Sequence, residues 1–139
     1  MNNINFFSED IVFEVEFPTK LQNWILKIIE IENSTAGNIN FIFCSDTYLH
    51  DINLTYLNHD TYTDIITFDN SETDREIEGD IFISIDRIKE NASTFDKAFN
   101  HELKRVMAHG ILHLLGYDDK NEALKLQMRK KEEACLSLY

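Results

Sequence analysis

The sequence predicts a chain of mixed strands and helices in which a β-sheet is packed by helices on at least one face. Three observations carry that expectation. Short β-rich apolar runs are confined to the first 85 or so positions. From about Asp86 the hydrophobic spacing turns helical and stays so to the end. With one Pro and four Gly in 139 residues, nothing reads as a linker, repeat or low-complexity tract, so residues 1–139 are expected to form a single domain. Hydrophobic residues make up 43% of the chain, enough to bury roughly two thirds of the unfolded surface without disulfide staples.

The elements follow in order. Ile11 to Phe17 alternates partly at period two and stops at Pro18, which reads as a strand. A helix over about 19–32 places Leu21, Trp24, Ile25, Ile28 and Ile29 on one face and ends near Asn33 and Gly37. Asn40 to Cys44 reads as a buried strand, followed by a helix to about Tyr56 with Ser45 or Asp46 as its N-cap. Thr63 to Phe68 and Gly79 to Ile85 are two further strands, separated by the polar surface loop Asp69 to Glu78. A short helix then reaches Thr94, a longer one covers about 96–115, and an amphipathic one covers about 120–136. In the last, Leu124, Met128, Ala134, Cys135 and Leu138 are expected toward the core and Arg129, Lys130 and Lys131 outside.

Charge limits the partners. The chain carries 25 acidic and 13 basic side chains, a net −12, which disfavours wholesale coating of nucleic acid. The excess is uneven. Residues 1–100 hold 19 acidic and 6 basic groups, or −13, and residues 101–139 hold 6 acidic and 7 basic, or +1. A nucleic-acid partner is expected to approach the C-terminal third or to be steered by a metal there. The two cysteines, Cys44 and Cys135, form no CxxC pair and are expected to be reduced and buried. The N-terminal segment has no basic start or apolar stretch of a signal peptide, and no run reaches the roughly 18 apolar residues of a membrane span, so a cytoplasmic, membrane-free protein is expected.

The chemistry concentrates in His109-Gly110-Ile111-Leu112-His113-Leu114-Leu115-Gly116-Tyr117-Asp118-Asp119. Histidines at i and i+4 stand about 6 Å apart on one helical face, within reach of one metal ion. Gly116 can take the left-handed conformation that ends a helix and turns the chain back, letting a residue three positions later face the same ion. The pattern H-x3-H-x2-G-x2-D therefore nominates His109, His113 and Asp119, with open positions for water or substrate as in catalytic sites. Asp118 is the neighbouring carboxylate. A zinc protease of the HExxH kind needs a glutamate where Gly110 stands. That glycine points either to tight helix–strand packing or to room for a bulky ligand.

These residues resemble the YbeY family of bacterial rRNA maturation factors, described as single-strand-specific endoribonucleases with a zinc site. The family signature H-G-x-L-H-L-x-G-Y-D-H reads H-G-I-L-H-L-L-G-Y-D-D here. Upstream, Asn53 to Phe68 is similar to the family block N-x-x-Y-R-x-x-D-x-x-T-D-V-L-S-F, and Gly79 to Ser84 is similar to its G-D-I-x-I-S strand. The resemblance implies an α+β fold, a mixed sheet of about four strands packed with helices, with the metal site on a central helix and the turn after it. It implies one Zn2+, with another divalent metal possible, held by His109, His113 and Asp119, and activity in rRNA maturation and ribosome quality control. Its partners would be rRNA and the ribosomal subunit or ribosomal proteins, with no DNA expected.

Two positions depart from the family. Asp119 replaces the third histidine; zinc held by two neutral imidazoles and one carboxylate keeps a net charge near +1, a weaker Lewis acid that exchanges more easily for a harder metal. Leu57 falls where the family has an arginine assigned a catalytic or RNA-contacting role. Phosphoryl transfer needs positive charge at the developing equatorial oxygens. The substitutes proposed for substrate contact are Arg105, one turn before His109, Lys104 beside it, and His59 in the second block. His50 and His101 are assigned to structure or surface. The competing readings are a metal-stabilised ribosome-assembly factor that binds with little or no cleavage, and a metzincin-like protease.

Overall fold

The computed structural model describes residues 3–73 and 75–139. Four strands, β1 (Ile4–Ser8), β2 (Thr35–Cys44), β3 (Ile65–Asp69) and β4 (Glu76–Ser84), form one sheet in the order β1-β2-β4-β3. β1 and β4 flank β2 in parallel, and β3 closes the far edge antiparallel to β4, so the sheet is mixed. Five helices accompany it: α1 (Pro18–Ile31), α2 (Asp46–Leu57), α3 (Ile85–Thr94), α4 (Phe99–Leu114) and α5 (Glu122–Ser137). This is the α+β architecture that the resemblance implies.

The first strand is a correction. Ile11 to Phe17 has no strand among the described residues, and β1 lies earlier, at Ile4–Ser8. The alternation in 11–17 is real but serves packing. Ile11, Phe13 and Val15 rest against the core, with the Phe13 ring 5.0 Å from that of Phe43, while Val12 is fully exposed. Period two marks an extended chain with one covered side, and only a free ladder edge makes such a chain a strand. That edge of β2 is taken by β1, where Ile4 and Phe6 pair with Ile39 and Phe41.

The core lies between the sheet and α1, α4 and α5. Leu21, Trp24, Ile25, Ile28 and Ile29 of α1 are buried against Ile39, Phe41, Ile81 and Ile83 of the strands. The Trp24 indole N–H donates to the Cys135 carbonyl at 2.8 Å, tying α1 to α5. Gly37, expected near the end of the first helix, lies inside β2; the left-handed turn after α1 is made by Asn33, at φ 61°. On the other sheet face α2 covers a smaller cluster of Cys44, Leu49 and Ile66. Ser45 caps α2 by accepting from the Tyr48 N–H at 3.1 Å, and Ser84 caps α3 by accepting from the Arg87 N–H at 3.1 Å. Both cysteines are free and buried; burial pushes the Cys44 thiol up to about 12 and the Cys135 thiol up to about 11. Among the described residues no helix is long and apolar enough to cross a membrane.

In α5 the buried face is Met128, Glu132 and Cys135, with Leu124 and Leu138 half-buried. Ala134, expected inside, is exposed, and Glu132 is buried instead. Helical geometry explains the exchange, because positions 128, 132 and 135 fall at i, i+4 and i+7 and share a stripe that excludes 134.

Candidate metal centre

α4 crosses the sheet above β3 and β4, and Gly110 lets it come close. A Cβ at Gly110 would stand 3.0 Å from both Ile65 Cδ1 and Ile81 Cγ2. Of the two readings of this glycine, tight helix–strand packing is the one realised. The contact fixes the height at which the last turns of α4 present their side chains along the sheet edge.

α4 ends in a Schellman motif. Gly116 sits at φ 102°, its N–H donates to the His113 carbonyl at 3.0 Å, and the Tyr117 N–H donates to the Leu112 carbonyl at 3.0 Å. The Tyr117 hydroxyl donates to Glu32 at the end of α1, which also pairs with Lys131 of α5 at 3.5 Å. The reversed turn is thus pinned on both sides and carries Asp119 back over α4. Asp118 is engaged elsewhere, accepting from the Asp119 N–H at 2.7 Å and pairing with Lys120 at 3.5 Å.

His109, His113 and Asp119 converge. Their Nε2, Nε2 and Oδ2 atoms lie 2.9 Å apart between the histidines, 3.5 Å from His109 to Asp119, and 3.8 Å from His113 to Asp119. Bonds of roughly 2.0–2.1 Å at tetrahedral angles put neighbouring ligand atoms roughly 3.3 Å apart, so the triangle has the size of a three-ligand face. Two imidazoles and one carboxylate are also the donor chemistry of a zinc-type ion with open positions. Burial, and the neighbouring His109, lower the pKa of His113, which favours the neutral imidazole that a metal requires.

The triad forms one wall of a cavity of about 540 Å3, closed by β3 and by the loop after α2. Buried Asn53 staples that loop, donating to the Thr61 carbonyl at 2.9 Å, and Asn58 turns it at φ 55°. Leu57, His59, Thr61, Thr63 and Asp64 face the cavity from this side, and Thr67 and Asp69 from β3. Among the described residues lining it there is no lysine or arginine.

The three residues expected to touch substrate are placed differently. His59 lies on the cavity wall. Lys104 points away, its ammonium 3.8 Å from the centre of the Tyr139 ring. Arg105 does not line the cavity: its Nε and Nη2 donate to the buried Glu102 carboxylate at 2.9 and 2.7 Å and its Nη1 to Glu132 at 3.1 Å, with Asp64 at 3.9 Å. His50 bonds Asp60 at 2.8 Å and stacks on Tyr62, while the buried Nδ1 of His101 has no hydrogen-bond partner among the described residues. Of the outer basic cluster on α5, Lys131 is held by Glu32, and Arg129 and Lys130 are exposed.

Sequence reasoning missed Glu132, whose Oε2 lies 2.6 Å from Nδ1 of His109. Its signal was available: an acidic residue between Met128 and Cys135 on the apolar stripe of α5. Burial works against ionisation of Glu132, but the hydrogen bond from His109 and the nearby charges of His109 and Arg105 outweigh it and hold its pKa below the usual range. Asp64 shows the opposite balance, burial raising its pKa against the pull of Arg105 and His109.

The family model described as Endoribonuclease YbeY matches residues 4–139. The chain belongs to the YbeY endoribonuclease family. A relative from Christiangramia forsetii, named Endoribonuclease YbeY, is 54% identical over 98% of this chain and 94% of its own. Another so named, from Flavobacterium psychrophilum, is 53% identical over 96% and 94%. The solution structure of a Thermotoga maritima protein superposes with a TM-score of 0.68 at 27% identity, covering 97% of this chain and 87% of that one. The family match spans all four strands and all five helices, including the α4 turn and the residues that line the cavity beside it.

Proposed function

We propose that the protein is a metal-dependent endoribonuclease that cuts single-stranded RNA during rRNA maturation, with His109, His113 and Asp119 as ligands of one zinc ion. The observation that carries this reading is the convergence of the three donor atoms on the wall of an open cavity in a member of the YbeY family. An ion bound there supplies the Lewis acidity that phosphodiester hydrolysis needs. The protein's own residues do the rest. His109 and His113 offer neutral nitrogens, and Asp119 adds a negative charge that tempers the ion. His59, Thr61 and Thr63 line the opposite wall, where imidazole and hydroxyl groups can donate to phosphate oxygens. The ribosomal subunit supplies the targeting that a cavity without lysine or arginine cannot.

A binding role in ribosome assembly with little cleavage is favoured by one specific observation: Leu57, not an arginine, faces the cavity, and Arg105 is committed to Glu102 and Glu132. One comparison separates the readings. Wild type and a His113→Ala, Asp119→Ala double variant are assayed on single-stranded RNA and on casein, with metal content measured in parallel. The nuclease reading expects tightly bound metal and RNA cleavage in wild type, with both lost at least about 100-fold in the variant. Equal RNA cleavage by the two proteins would overturn it, subunit binding without cleavage would install the assembly role, and casein cleavage lost in the variant would mark a protease.

A further inference from the structure

We propose that Glu132 is the positioning residue of the metal centre: from the last helix it holds the His109 ring so that Nε2 faces the ion, and Arg105 and Glu102 hold Glu132. The inference rests on the metal reading above and adds a group that lies outside the ligand set.

The ring geometry comes first. Nδ1 of His109 is 2.6 Å from Glu132 Oε2, and Nε2 is the atom that meets His113 and Asp119. A proton shared with a carboxylate at Nδ1 leaves the lone pair on Nε2, the tautomer that a metal needs there. His113 has no such carboxylate partner among the described residues: its ring is oriented from the turn by Tyr117. The two histidines are therefore held differently, His109 by a buried side-chain carboxylate and His113 by the backbone of the turn.

The support behind Glu132 is a relay of fixed bonds. Each of its oxygens is used once, Oε2 by His109 and Oε1 by Arg105 at 3.1 Å. Arg105 is itself forked onto Glu102, which is 1% exposed. Glu132 is 5% exposed, and a carboxylate so deeply buried is costly unless it is paired and hydrogen-bonded. Placing one in the apolar stripe of α5 for stability alone would gain little over a well-packed aliphatic residue.

Three carboxyl groups flank this part of the ligand helix: Glu102 and Glu132 both bond Arg105, and Glu132 and Asp119 both stand beside His109. Asp64, 3.9 Å from Arg105, stands at the edge of the cluster, where its burial disfavours a further charge. Burial and ring orientation thus agree on a carboxylate built to face a metal-bound histidine.

The test measures zinc affinity by chelator competition in wild type and Glu132→Gln, with metal-free thermal melts and ring 15N NMR of His109. The expected result is a 10- to 100-fold weaker affinity in Glu132→Gln, with metal-free melting shifted by no more than a few degrees. In zinc-loaded wild type the His109 ring should carry its proton on Nδ1. Equal zinc affinity in the two proteins would overturn the proposal while leaving the metal reading intact. So would a His109 ring metallated through Nδ1 in wild type, a result that needs no variant to fold. Wild type that binds no zinc would remove the metal reading and this inference together.

Discussion

At the scale of single residues, position 57 decides how the cavity meets an anion. Leu57 is 42% exposed and lines the cavity opposite the triad, contributing apolar surface where a phosphate would sit. Because the side chain is half in solvent at the last turn of α2, a longer polar one is accommodated at less than about 0.5 kcal/mol. Leu57→Arg is therefore expected to fold normally and to raise kcat/KM on single-stranded RNA by about 10-fold or more, as a guanidinium meets charge that only the transition state develops. It should also steepen the salt dependence of RNA binding by about one phosphate contact. Unchanged cleavage together with unchanged salt dependence would show that RNA does not pass position 57. This departure was plain in the sequence, since it is a matter of one residue in one block. The fate of Arg105 was only half legible: Glu102 is three positions earlier on the same helix, but Glu132 lies 27 positions away and only the docking of α5 on α4 brings it in.

At the scale of elements, the site depends on how α4 stops. His109 and His113 share a face for any helix that runs through them, but Asp119 joins them only through the reversed turn at Gly116. Apart from Gly116 itself and its chain neighbours, no atom of the described residues lies within 4 Å of a Cβ placed there, so a substitution feels mainly the unfavourable left-handed backbone. Gly116→Ala should lose about 1 kcal/mol by urea denaturation and, as the turn relaxes, bind zinc more weakly than its stability loss alone explains. Stability lost with zinc affinity unchanged would show that Tyr117 and Glu32 hold the turn without the glycine. This element was legible because its determinants are local: a histidine pair, a glycine and a carboxylate within eleven residues. The same locality explains the error at the N-terminus. Ile11 to Phe17 and Ile4 to Ser8 both alternate, and the choice of which joins the ladder is made by β2, more than 30 positions on. Glu132 fell between the two cases. Its stripe is local, but a charged residue inside it acquires meaning only from the histidine it meets.

At the scale of the whole molecule, the acidity and the cavity act together. The acidic excess sits in residues 1–100, which carry −13 against +1 for the rest and include the α2 loop and β3 that close the cavity. The C-terminal third is near neutral, and its most central cation, Arg105, is spent on Glu102 and Glu132. RNA approaching the triad thus finds carboxyl groups at Asp64 and Asp69 and, among the described residues, no lysine or arginine on the cavity wall. The acidic excess works against long-range attraction, and short-range attraction at the cavity is left to the proposed ion and to His59, Thr61 and Thr63. Affinity for naked single-stranded RNA should then be weak, with a dissociation constant above about 1 μM at physiological salt. Few phosphates are neutralised, so the slope of log K against log salt should be no steeper than about −2, the value for some three contacts on a single strand. Removing divalent metal should abolish what binding remains, because the ion is the largest local positive charge. Fluorescence anisotropy over a salt series, with and without chelator, measures all three quantities. Nanomolar binding to random RNA at physiological salt would mean that a basic surface elsewhere does the work, and Arg129 and Lys130 on the outer face of α5 would be the place to look. Weak binding of naked RNA is what a poorly charged cavity produces, and the proposed delivery by a ribosomal partner then predicts faster cleavage on ribosomal particles than on free RNA.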